Sequence, residues 1–109
     1  MPRYRIGLSY KGTHFHGWQI QPNACSIQQE LNEKISILCA EDVNIVGAGR
    51  ADTGVHARNF VAHFDTQKEI VKMPLEDFAY KLNTFISKDI VIHSLSKVND
   101  EFHARFDAL

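Results

Sequence analysis

Cysteine is scarce in this chain. Cys25 and Cys39 are the only two, and they form no metal-ligand spacing, so the simplest reading is a pair of free thiols with no thiolate zinc centre. Long apolar runs are missing as well, and no segment approaches the roughly 20 residues that a membrane-spanning helix requires. The first residues lack the positive, apolar and cleavage-site succession of a secretory leader, which makes the cytoplasm the expected compartment and a membrane partner unexpected. There is no internal repeat, low-complexity tract or linker. With 109 residues, one domain with a single modest core is expected. The net charge of −1 gives no overall bias towards a polyanion.

The charge is unevenly spread. Residues 1–25 hold Arg3, Arg5 and Lys11 and no acidic residue, and Arg50 and Arg58 follow. Acidic residues gather in the first helical stretch and between Asp65 and Asp77. Such an asymmetry can give a nearly neutral molecule one phosphate-facing surface.

Periodicity supplies the elements. Tyr4, Ile6, Leu8 and Tyr10 alternate along a half-buried strand. Residues 11–25, rich in Gly, His, Asn and Pro, read as a long loop. Ser26 and Gln29 have capping-box spacing, and Ile27, Leu31, Ile35 and Leu38 then recur at helical intervals. Residues 44–49 and 59–66 read as the second and third strands. Beyond Pro74, a helix carries Leu75, Phe78, Ala79, Leu82 and Phe85 or Ile86 on one stripe, and residues 89–98 form the fourth strand. The order β-α-β-β-α-β predicts an α+β, ferredoxin-like sandwich, an antiparallel sheet with two helices on one face.

Between the second and third strands runs Gly49-Arg50-Ala51-Asp52-Thr53-Gly54-Val55-His56-Ala57. Gly49 and Gly54 let the chain turn sharply on both sides of Asp52. An Asp-Thr-Gly turn also serves as a plain polar turn whose carboxylate caps nearby amides. Arg50 and Arg58 move the reading towards chemistry, because they favour the ionised carboxylate and supply donors for an anion.

This string resembles the signature of the TruA family of tRNA pseudouridine synthases, commonly Gly-Arg-Thr-Asp-Ala-Gly-Val-His-Ala. Ala51 and Thr53 exchange the family's usual Thr and Ala, which removes a hydroxyl before Asp52 and adds one after it. Three further stretches are similar to the family and stand in its order. They are Tyr-Lys-Gly-Thr-His-Phe-His-Gly-Trp-Gln at 10–19, Ser-Ile-Gln-Gln-Glu-Leu at 26–31 and Phe-His-Ala-Arg-Phe-Asp-Ala at 102–108. The resemblance implies an isomerase acting on uridines of the tRNA anticodon arm, at tRNA positions 38 to 40, and a homodimer of the full-length protein. It also implies that the chain is the N-terminal domain of a longer enzyme, the remaining half of which supplies an active-site tyrosine. By itself this domain is expected to be nearly inactive, because pocket walls from the other half would exclude water and grip the base.

Pseudouridine formation breaks the N1–C1′ bond of uridine, turns the uracil and rejoins it through C5. No redox equivalent is consumed, so neither cofactor nor metal is required. A carboxylate is needed as nucleophile or base, and the target nucleotide has to leave its stack. The resemblance implies Asp52 as that carboxylate. It can attack C1′, attack C6 or take a ribose proton. Arg50 is the candidate for extruding the uridine and filling the gap, and Arg58 for contacting phosphate or keeping Asp52 ionised.

Lys11, His14 and Gln19 belong to a basic and aromatic loop suited to RNA contact, in which Trp18 is expected to be a core anchor. His14 and His16 have no convincing third ligand, so no metal is expected. His56 is expected to support the catalytic loop. His103 and Arg105, in the family-like terminal segment, are expected to steady that loop or meet RNA. His63 and His93 sit within strands and read as structural.

Two other readings compete. Asp52-Thr53-Gly54 is also the triplet of retroviral-type aspartic proteases, but Arg50 opposes a proton-sharing carboxylate pair and the helical stripes do not suit an all-β enzyme. A non-catalytic RNA-binding module on the same fold would use Phe60 and Phe64, two residues on one strand face, to stack bases.

Overall fold

The computed structural model describes residues 1–12, 15, 17–18, 26–47, 57–70 and 73–103. Strand β1 (Arg3–Tyr10) pairs antiparallel with both β3 (Ala57–Asp65) and β4 (Ile90–Val98), and β2 (Val46–Gly47) extends the sheet beyond β3. The spatial order is β2-β3-β1-β4. Helices α1 (Ile27–Cys39) and α2 (Leu75–Phe85) complete the expected α+β sandwich.

Alternation in β1 decides which face is covered. Tyr4, Ile6, Leu8 and Tyr10 are all buried and join Ala62 and Phe64 of β3 in one core with Ile27, Leu31 and Ile35 of α1 and Phe78, Ala79 and Leu82 of α2. Burying a side chain of this size removes about 1.5–3 kcal/mol of unfavourable hydration. The α2 stripe ends on Ile86, which is 6% exposed, whereas Phe85 is 40% exposed and lies beneath the Lys34 ammonium. Both helix-capping signals act locally. The Ser26 hydroxyl accepts the Gln29 N–H at 3.1 Å, so half of the capping box forms; the Gln29 amide turns outward to Glu33 instead of returning to Ser26. At the other end Ala40 adopts a left-handed conformation (φ 56°), and the Ala40 and Glu41 N–H groups reach back to Ile37 and Ser36.

Strand β2 starts later than expected, at Val46. The Ile45 N–H donates to Asn32 Oδ1 at 2.7 Å and its carbonyl accepts from Gln28 Nε2 at 2.7 Å. Side chains of α1 therefore take the backbone groups that a longer ladder would use, and Ser36 does the same for Val43. The rest of the expected strand, at 48–49, lies outside the described residues.

One strand departs from plain alternation. Ile92 faces Leu8 and Ser94 faces Gly7, which leaves His93 as an extra residue in β4. Such a bulge re-aims the side chains around it. At this point on the outer edge, Asn83 of α2 accepts the Ile92 N–H and donates to its carbonyl, so the edge is locally closed.

Candidate active site

The framework gathers several chain segments at one end of the sheet. Tyr10, the last residue of β1, pairs with Ala57, the first of β3, and with Ile90, the first of β4. The Lys11 N–H then reaches the Asp89 carbonyl at 2.8 Å. Strand β2 runs towards the same end, and Gly47 pairs with Ala62. Gly47 and Ala57, the described residues on either side of 48–56, thus belong to the neighbouring strands β2 and β3, and Ala57 stands at the end where the chain leaves β1.

Of the candidate residues, Lys11 and Arg58 are described there, both exposed. Asp52, Arg50, Gly49, Gly54, His56, His14, Gln19 and Arg105 lie outside the described residues.

An aromatic group underlies this end. Trp18 is buried, with its ring 4.5 Å from Phe60 and 6.4 Å from Tyr10. Backbone carbonyls of Gly17 and Trp18 accept the Ile27 and Gln28 N–H groups, which joins this part of the chain to the start of α1. Trp18 is the core anchor that its position suggested. Gly47 permits the packing: a Cβ there would stand 2.6 Å from Trp18 Cε2 and 2.8 Å from Phe60 Cε2. The Tyr10 hydroxyl is enclosed in this group without a hydrogen-bond partner among the described residues, and burial raises its pKa, so it stays a neutral phenol.

Phe60 packs on Trp18 and Tyr10, and Phe64 stacks on Tyr4 with ring centroids 5.5 Å apart. Both rings serve the core, so the base-stacking pair invoked for a pure RNA-binding module is not on offer.

On the opposite, helix-free face, the chain after β4 crosses β3. Arg3 donates to both carboxylate oxygens of Asp65 and to the Phe102 carbonyl. The buried His63 ring meets Phe102 edge-on and lies 4.8 Å from His103. Desolvation first, and then the Arg3 and His103 charges, lower the His63 pKa and favour its neutral form. Since Val46 pairs with His63, the half-buried His103 rests beside the strand that leads into the Asp52 segment. His63 is thus structural, as expected. His93 is not: it is exposed on the open face, 2.8 Å from Ser9 Oγ.

Sequence reading treated Arg3 as one of several phosphate-facing cations. The structure commits it to Asp65 and Phe102, 62 and 99 positions away, and no local signal marks that role. Away from this end, burial pushes the Cys39 thiol up to about 11, which makes it a poor nucleophile at neutral pH. Among the described residues no group of three His, Cys, Asp or Glu side chains forms a metal site, and no helix is long and apolar enough to cross a membrane.

The sequence that joins the second and third strands of this α+β sandwich is the one that carries the arginine-flanked aspartate. Residues 8–107 match the family model described as tRNA pseudouridine synthase, and the chain belongs to that family. It is 48% identical over 108 residues to "tRNA pseudouridine synthase A" of Parabacteroides distasonis, covering 99% of this chain and 42% of the relative. The protein of the same name from Bacteroides fragilis is 46% identical over 106 residues (97% and 41%). That from Aquifex aeolicus is 41% identical over 106 residues (97% and 43%). The chain thus spans about two fifths of the length of these relatives.

Proposed function

We propose that this chain is the N-terminal catalytic-loop domain of an enzyme that converts uridine to pseudouridine in the anticodon arm of tRNA. The observation that carries the reading is the family match over residues 8–107, which includes the Asp52 segment. The strand frame supports it, because Ala57, the first described residue after that segment, stands at the end of the sheet where Lys11 and Arg58 are exposed.

Asp52 is the catalytic carboxylate. The N1–C1′ bond breaks, a C5–C1′ bond forms, the C5 proton leaves to solvent and N1 gains a proton, so the product is an isomer of the substrate. Asp52 serves as nucleophile or base while the detached uracil stays in the pocket. Arg50 fills the gap left by the extruded nucleotide, and Arg58, Lys11, His14, Gln19 and Arg105 hold RNA around it. Gly49 and Gly54 let the segment turn, and His56 and His103 support it. The reaction needs no cofactor and no metal. The whole protein works in the cytoplasm as a homodimer, with the remainder of the polypeptide closing the pocket.

Tritium release from tRNA labelled at uridine C5 tests the assignment. The whole protein is expected to release tritium and its Asp52→Asn variant to lose release by several orders of magnitude. Undiminished release by the variant would remove Asp52 from the mechanism.

A further inference from the structure

The open face of the sheet carries a polar cradle that the Asp52 reading does not use. Its floor is Gly7. An ideal Cβ on Gly7 would stand 2.7 Å from Ser94 Oγ and 3.9 Å from Arg5 Nη1, so a hydroxyl and a guanidinium both approach one point above the glycine. The bulge in β4 puts His93 next in line, where its Nε2 lies 2.8 Å from Ser9 Oγ. Arg5, Ser94, Ser9 and His93 thus form a row along β1 and β4, half-buried on β1 and exposed on β4.

Two features say what fits there. Among the described residues Arg5 makes no ion pair, in contrast to Arg3 two residues earlier, which is engaged by Asp65 and the Phe102 carbonyl. The strand neighbours of this row are His63, Val61, Ser96 and Val91, and no carboxylate is among them. A free guanidinium beside hydroxyl and imidazole groups, over a floor without a side chain, suits a tetrahedral oxyanion that can take several hydrogen bonds at once.

We propose that the Arg5–Gly7–Ser9 and His93–Ser94 cradle binds a backbone phosphate of the RNA substrate on the helix-free face of the sheet. That RNA supplies the phosphate rests on the function proposed above. The contact positions RNA and reads no base. Gly7 is required because a Cβ there would push Ser94 Oγ aside and fill the floor on which the phosphate rests.

Equilibrium binding of tRNA to the whole protein, measured across a salt series, tests this directly. Arg5→Ala is expected to weaken binding roughly 3- to 10-fold near 0.1 M salt and to reduce the slope of log K against log salt by about one. Arg5→Lys should restore most of the affinity, and Ser94→Ala should cost less than Arg5→Ala; circular dichroism confirms that each variant is folded. Wild-type affinity and slope in a folded Arg5→Ala protein overturn the proposal. A parallel arm with inorganic phosphate alone separates the sources: phosphate binding that Arg5→Ala abolishes while tRNA affinity stays intact would make the cradle a free-anion site, which also overturns the proposal. Tritium release by Asp52→Asn is read independently, so loss of the cradle and loss of the catalytic assignment are told apart.

Discussion

Arg3 and Asp65 face each other across β1 and β3 and form a two-point ion pair, Nε to Oδ1 at 2.7 Å and Nη2 to Oδ2 at 2.9 Å. The third arm of the guanidinium holds the Phe102 carbonyl, so one residue joins two strands to the segment after the fourth. The Arg3 hydrogen bonds hold the Asp65 carboxyl below the usual carboxylate range.

A folded-state value lower than the unfolded one means that the pair contributes fully above the unfolded carboxyl pKa, near 4, and is lost as pH falls through the folded value. Asp65→Asn is therefore expected to lower stability by about 1 kcal/mol at pH 7, a figure kept small because both side chains are partly exposed. The difference in Tm between the two proteins should shrink below about pH 4. A gap that persists unchanged to the most acid conditions at which both fold would contradict this.

Ala40 closes α1 in the left-handed region, where a Cβ costs roughly 1–2 kcal/mol. Ala40→Gly relieves that cost and gives back part of it through the freer unfolded chain, for an expected net gain of about 0.5–1 kcal/mol. Urea denaturation should show a higher midpoint with an unchanged slope. A lower midpoint would mean that the methyl group does more for the fold than its conformation costs.

Gly47→Ala should act in the opposite sense. Its Cβ has no room between Trp18 and Phe60, and overpacking of this kind costs about 1–3 kcal/mol. Trp18 is the only tryptophan, so its emission reports the disturbance without interference. A red-shifted emission with a lower Tm is expected; wild-type values for both would show that the aromatic group has slack.

Tyr10 offers a second packing test. Its hydroxyl is buried with no partner among the described residues, and an unsatisfied polar group of this kind costs about 1–3 kcal/mol. Tyr10→Phe keeps the ring contacts with Trp18 and Phe60 and should leave stability unchanged or raise it by up to about 1 kcal/mol. A clear loss of stability would point to an ordered water on the hydroxyl.

The elements that sequence reading found are those whose information is local. Alternation over Tyr4, Ile6, Leu8 and Tyr10 and the i, i+4 spacing of Ile27, Leu31 and Ile35 are properties of short segments, and both sets are buried. The limits of β2 were not legible, since Gln28 and Asn32 of α1 decide them by capturing the Ile45 backbone. The face taken by Phe60 and Phe64 was not legible either. A strand pattern says that two residues share a side and leaves open which side meets the helices.

Family membership could be read from the order of residues alone, because a family signature is a run of adjacent side chains whose pattern survives without coordinates. Arg3 and Arg5 show what only the tertiary structure decided. They are two positions apart on one strand and identical in type. Yet pairing places Asp65 opposite the first, while the second faces His63 and Ser96 and comes to lie over Gly7 beside Ser94. Which cation is structural and which is free for a ligand depends on the strands alongside, and strand register is a property of the folded sheet.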